Sequence, residues 1–356
     1  GEIIMHTVTI QELRTIIPTI GVELTPIIVS EPGCGKTSLL SMIQKDLGDK
    51  YDYVYVDCPV KDMQDIAMTI PNHETKSLNP YVGSLFKLDS DKPKIILLDE
   101  FMKAPKMLQV IFTRLMLERS VGDVQLPEGS IVFGTSNNQS DGVGDTMLAH
   151  AGNRVCMLSM AKPDTTSWLT WASENGIQPL IRAWVQMNPR SLHSYTDDND
   201  TDDNPYIFNP KRPQLSFVSP RSLAKASVII EHRDILGDNA THCALGGTVG
   251  MSASGDMSAF ISQADNIPFY DDIIKSPDTT KIPESISAQM MVMFQCTDKI
   301  DTQENLTKCM TYMNRLESSE MQALFFTMLM KNSKTRKIAS NNKVISQWCV
   351  DNHELF

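Results

Sequence analysis

The sequence predicts an α/β fold: a five-stranded parallel sheet between helices, built around a phosphate-binding loop and followed by an α-helical region. Three observations predict it. Ser30-Glu31-Pro32-Gly33-Cys34-Gly35-Lys36-Thr37 lies between an apolar run, Pro26-Ile27-Ile28-Val29, and a helical pattern of Leu39, Leu40, Ile43 and Leu47 closed by Gly48. Strand, Gly-rich turn and helix in succession is the context a phosphate loop requires. A second apolar run, Lys94-Ile95-Ile96-Leu97-Leu98, ends in Asp99-Glu100. From Leu215 onward the pattern turns mostly helical and rich in Met.

In chain order, Thr9-Ile10-Gln11-Glu12 is a capping box that opens an amphipathic helix. Strands are expected near 26–30, 51–57, 94–99, 130–135 and 154–160, with helices between them. That alternation implies a parallel sheet covered on both faces. Residues 59–80 show little periodicity, and Pro71-Asn72-His73 reads as a turn within them. An apolar helical stretch runs from Trp168 to Trp184 and ends near Pro189. The acidic run Thr196 to Asn204 lacks the Gly and the distal Glu of an EF-hand loop and reads as a solvated loop. Gly246-Gly247-Thr248-Val249-Gly250 is followed by no Lys-Ser/Thr, so close helix packing explains it better than a second phosphate loop. The Met-rich segment 287–330 reads as core.

The chemistry sits at the strand ends. Glycines let successive backbone N–H groups of Glu31, Gly33, Cys34, Gly35, Lys36, Thr37 and Ser38 converge on phosphate oxygens, with Pro32 shaping the turn. The helix N-terminus adds partial positive charge. Lys36 can reach the β- and γ-phosphates, and the Thr37 hydroxyl can ligate Mg²⁺. One departure is visible, since Ser30 stands where the motif's first glycine is usual. Asp99 can hold Mg²⁺ through water, and Glu100 can polarise the water that attacks the γ-phosphate. The strand Ser130 to Thr135 carries a polar tip, Ser136-Asn137-Asn138, where an amide can both donate to and accept from a water. Asn137 is the choice for that role and Asn138 its rival.

These residues together resemble an AAA+ ATPase, and more closely the MoxR-type branch. The run from Asp99 to Gln109 is similar to that branch's Asp-Glu-hydrophobic-x-basic-Ala-Pro-x-x-x-Gln signature. Tyr81 to Phe86 resembles the Gly-x-Leu-Phe segment before it, Val121 to Pro127 the hairpin before the sensor strand, and Trp168 to Gly176 the helix after the core. Ser219-Pro220-Arg221 resembles the second sensor, and Trp348 with Asp351-Asn352 the end of small single-chain members, some of them phage-encoded. The resemblance implies ATP and Mg²⁺ as cofactors and a homo-oligomeric ring, a hexamer. It implies an arginine finger at Arg154, with Arg114 and Arg119 as rivals, and a lid arginine at Arg221. It further implies a pore-facing insertion within 59–80 and a protein partner, often of von Willebrand factor A type. The domains are then a 1–163 AAA+ core, a 164–213 helical connector with an acidic loop, and a 214–356 helical lid with C-terminal helices. Two other functions stay open: a nucleic-acid motor or loader, and a slow nucleotide switch.

Composition narrows these readings. The 356 residues carry a net charge of −11, which argues against a duplex-DNA binder held by a basic face and makes nucleic acid the less favoured ligand. The basic cluster Lys331, Lys334, Arg336 and Lys337 reads as a solvated helix end. Cys34, Cys58, Cys156, Cys243, Cys296, Cys309 and Cys349 form no CxxC and no metal spacing, so a cytoplasmic location is expected. Cys34 reads as a small filler residue. No apolar run is long enough to span a bilayer, and no signal peptide is visible.

Overall fold

The structure, a computed structural model, describes residues 7–137, 155–197, 203–212, 214–262 and 267–352. The chain divides into two compact units, Gly1–Pro163 and Asp164–Phe356.

The first unit is built on a parallel sheet whose strands run β1 (Thr7–Val8), β10 (Val155–Met160), β2 (Thr25–Ser30), β9 (Ile131–Asn137), β6 (Lys94–Asp99) and β3 (Asp52–Asp57), in that spatial order. Six strands replace the expected five, because two residues before the first helix, Thr7 and Val8, pair with Ser159 and Met160 at the sheet edge. Side chains alternate between the faces as a strand requires. Ile95 and Leu97 of β6 pack with Leu13 and Ile17 of α1 (Ile10–Ile20) and with Leu39 and Ile43 of α2 (Ser38–Leu47). Ile96 and Leu98 face the other way, into a core with Ile66, the last residue of α3 (Met63–Ile66), and with Leu108, Phe112 and Leu115 of α4 (Lys106–Glu118). A sheet buried on both faces explains why its strands read as unbroken apolar runs.

Local chemistry sets the helix ends. Thr9 and Glu12 form the expected reciprocal capping box at the start of α1. Gly48 closes α2 with φ 61, a backbone region that favours glycine. The stretch 59–80, in which little periodicity was expected, contains most of an antiparallel hairpin of β4 (Ala67–Asn72) and β5 (Ser77–Val82). Its turn is fastened by the Asn72 side-chain oxygen, which accepts from the backbone N–H groups of Glu74 and Thr75. A second hairpin, β7 (Ser120–Val121) with β8 (Val124–Gln125), lies where one was expected.

The second unit is helical among its described residues. Where one apolar helical stretch was expected between Trp168 and Trp184, α5 (Thr165–Glu174) and α6 (Pro179–Met187) are separate. Gly176 adopts φ 69 between them, and Pro179 opens the second. There follow α7 (Pro220–Glu231), α8 (Arg233–Val249), α9 (Met251–Ser262), α10 (Tyr270–Lys275), α11 (Ile286–Lys299), α12 (Gln303–Met313), α13 (Ser319–Lys331), α14 (Ser333–Ala339) and α15 (Lys343–Asp351). Met290, Met291, Met293, Met310 and Met313 are buried in this unit's core, as the Met-rich pattern suggested. Two of the glycines near 246 sit at close approaches, since a Cβ on Gly246 would lie 2.7 Å from the Met251 sulfur and one on Gly250 2.8 Å from the Ser216 carbonyl, whereas one on Gly247 would meet nothing within 4 Å. No described helix is long and apolar enough to cross a membrane.

Candidate nucleotide site

The site forms where β2, β9 and β6 end side by side. β9 lies between the other two, and Ser30 at the tip of β2 is in register with Asn137 at the tip of β9. Residues distant in sequence therefore end at one edge of the sheet, at its carboxyl ends, where open α/β sheets bind ligands.

The phosphate loop leaves β2 and enters α2 directly at Ser38. Gly33 and Gly35 adopt φ 78 and 98, conformations that side-chain-bearing residues rarely take. A Cβ on Gly35 would meet nothing within 4 Å, so backbone conformation rather than crowding calls for glycine there. Lys36 is 6% exposed. Its Nζ donates to the Ser30 carbonyl and the Ser30 hydroxyl, both at 3.0 Å, to the Glu31 carbonyl at 3.2 Å, and to the Asn137 side-chain oxygen at 2.8 Å. Ser30, the departure from the usual glycine, thus anchors the lysine. Glu31 is buried beside it, and Pro32 is half-buried. Burial pushes the Cys34 thiol up to about 11, and the negative charge of Glu31 adds to the shift.

Asp99 ends β6, 7% exposed. One of its oxygens accepts from the Thr37 hydroxyl at 2.9 Å and from the Tyr55 hydroxyl at 3.0 Å, and the other from the Thr135 hydroxyl. Thr135 also accepts from the Glu100 backbone N–H at 3.1 Å. Glu100 itself has φ 51 and ψ 37, the left-handed region, where a residue with a long side chain is uncommon. Its carboxylate accepts from Lys103 Nζ at 2.8 Å and from the Asn137 side-chain nitrogen at 3.4 Å. Gln109 is 8% exposed and donates to the carbonyls of Met102 and Ala104 at 2.8 and 2.7 Å. Gln109, the last residue of the signature, thus ties down the turn that follows Asp99-Glu100.

Of the residues expected here, Glu31 through Ser38, Asp99, Glu100 and Asn137 lie together at this edge. Asn138 and Arg154 lie outside the described residues. Arg119 is not placed as a finger. Its guanidinium donates to the Thr25 hydroxyl at 2.8 Å, to the Gly21 carbonyl at 2.9 Å and to the Met116 carbonyl, clamping the segment before β2 to the end of α4. Arg114 is exposed on α4 and pairs with Glu118 at 2.7 Å. Arg221 is exposed in the first turn of α7, behind the Ser219 cap. Sequence reading missed Tyr55 and Thr135, because their role depends on which strands become neighbours. A hydroxyl two residues short of a strand end, as in Tyr55 before Asp57 and Thr135 before Asn137, was the available signal.

The donor set fits a divalent cation. The Thr37 hydroxyl and an Asp99 carboxylate oxygen are hard oxygen donors already within 2.9 Å of each other, beside a loop shaped for phosphate. Among the described residues, no cluster of His, Cys, Asp or Glu forms a separate metal centre.

Comparison with known proteins places residues 27–121 in register with a family model described as the viral superfamily 1 RNA helicase core domain. That stretch runs from β2 through the phosphate loop and β6 to β7. No curated protein matches the chain. Similar solved structures include a provisionally assigned ATPase of Cytophaga hutchinsonii, at 19% identity over 69% of this chain and 67% of that one, with a TM-score of 0.33. A RuvB variant of Thermotoga maritima is 11% identical over 75% of both chains, with a TM-score of 0.36. NtrX of Brucella abortus is 14% identical over 73% of this chain and 69% of that one, with a TM-score of 0.33. Likenesses this distant decide nothing about function. The parallel sheet, the glycine-built loop with its buried lysine and the Asp-Glu strand end identify a phosphate-loop α/β fold.

Proposed function

We propose that the chain is a Mg²⁺-dependent ATPase of AAA+ type, similar to the MoxR branch, that assembles as a ring and couples hydrolysis to remodelling of a protein partner. The observation that carries the chemical half is the joining of Lys36, Asn137 and Glu100 through hydrogen bonds, with Thr37 on Asp99 beside them. Each group then has a task. Lys36 would exchange the loop carbonyls for phosphate oxygens, which offer more negative charge. Thr37 and Asp99 would hold the metal, which when bound neutralises charge on the transferred phosphoryl group. Asn137 would orient the attacking water, and Glu100 would accept its proton. Arg154 would act as a finger on a neighbour's nucleotide, and Arg221 as a lid sensor, in keeping with the sequence resemblance. The ring is taken as a hexamer, and the partner as a protein of von Willebrand factor A type.

The test is Glu100→Gln. It should bind ATP with near-native affinity in calorimetry and lose phosphate release, because the metal ligands remain while the base is gone. Near-native turnover would show that the catalytic carboxylate lies elsewhere. The inactive form should also retain its protein partner on purification.

A second reading, a nucleic-acid motor, is favoured by the helicase-core match over 27–121. The net charge of −11 weighs against it. Stimulation of ATP turnover by single-stranded RNA would decide for the motor.

A further inference from the structure

We propose that Lys103 is a positioning residue that holds Glu100 back from the attacking water, so that parting of the two is a step of every turnover. The proposal rests on the reading of Glu100 as the base. After β6 the backbone turns left-handed at Glu100, and the Lys103 N–H donates to the Glu100 carbonyl at 2.8 Å. That single turn, Phe101–Lys103, returns the lysine side chain to the carboxylate, where Nζ meets Oε2 at 2.8 Å. The other oxygen, Oε1, faces the Asn137 amide at 3.4 Å, and Asn137 is itself engaged by Lys36 at 2.8 Å. Glu100 thus has a donor on each oxygen, and an ammonium competes with water for the oxygen that would take the proton.

The turn is fixed from behind. Phe101 is 3% exposed, and Gln109 holds the carbonyls on both sides of Lys103, those of Met102 and Ala104. The pair itself is loose by comparison. The two side chains are 31% and 34% exposed. An exposed ion pair biases its partner by a factor of about five at most. A lysine so placed can restrain Glu100 without silencing it.

Steady-state ATP turnover of the full chain, with ATP affinity measured in parallel, tests this. Lys103→Met and Lys103→Gln should each raise kcat by about two- to fivefold and leave KM for ATP unchanged. Lys103→Arg, which restores the cation, should bring the rate back down. A lysine that merely shaped the loop would instead lower kcat on removal. Unchanged or lower kcat in both removals, with Glu100→Gln inactive, would overturn the proposal and leave the base intact. Near-native turnover by Glu100→Gln would overturn the base and the proposal together.

Discussion

Ser30 stands where a phosphate loop ordinarily carries glycine, and its hydroxyl accepts from Lys36 at 3.0 Å while donating to the Glu31 carbonyl at 3.1 Å. The lysine is therefore anchored at the root of the loop. Four residues on, Cys34 is 3% exposed, and its thiol is raised to about 11, chiefly by burial. Only the thiolate reacts, and at pH 8 it is about one part in a thousand of such a group. Iodoacetamide at pH 8 should therefore label the exposed Cys243 and spare Cys34, as peptide mass mapping would show. Equal labelling of the two would make Cys34 an open, reactive thiol instead of a filler. At this scale Lys36, Thr37, Asp99 and Glu100 were legible because spacing within one strand–loop–helix segment and one strand end fixes them. Tyr55 and Thr135 were not. Asp57 and Asp99 lie in register across β3 and β6, and Leu98 with Gly134 across β6 and β9, and only those pairings bring the two hydroxyls to Asp99.

The end of α4 shows how an element is held. Arg119 leaves the helix with φ 55, and its guanidinium gathers the carbonyls of Gly21, Val22 and Leu24 together with the Thr25 hydroxyl. Burial pulls this arginine down from its usual value. Arg119→Ala would leave the buried Gly21 carbonyl and Thr25 hydroxyl without their charged donor, at a cost of about 2 kcal/mol. Backbone amides of residues 21–30 should then exchange hydrogen about 30-fold faster by mass spectrometry. Unchanged exchange there would mean that water replaces the clamp. The two-residue edge strand Thr7–Val8 was too short to show an apolar run, and the other five of the sheet's six strands were legible from their runs of apolar and β-branched or aromatic residues. The hairpin of β4 and β5 was not, since Pro71 sits inside β4 and proline argues against a strand. It is tolerated because a two-stranded ribbon consists only of edges. The break between α5 and α6 was missed although Gly176 and Pro179 mark it, because Ile177 and Leu180 carry the apolar pattern past them.

For the whole molecule, the proposed ring makes a prediction that no single subunit can satisfy. If Arg154 completes a neighbour's site, Arg154→Ala should keep ATP binding and lose turnover by about 10³–10⁵. Mixing it with Lys36→Ala subunits, which keep the finger and lack the phosphate lysine, should restore part of the rate through composite sites. Mixed rings seen by sedimentation but without recovery would remove Arg154 from that role.

The strand order carries a consequence for how the chain is made. β2 bears the phosphate loop, and its two neighbours in the sheet are β9, residues 131–137, and β10, residues 155–160. During synthesis the apolar Ile27, Ile28 and Val29 emerge before either partner, so that one of their hydrogen-bonding edges stays open until β9 has followed and the other until β10 has. Pairings this far apart in sequence close slowly, and an open apolar strand recruits other chains. The strand that carries the phosphate loop is thus also an aggregation hazard of the nascent chain.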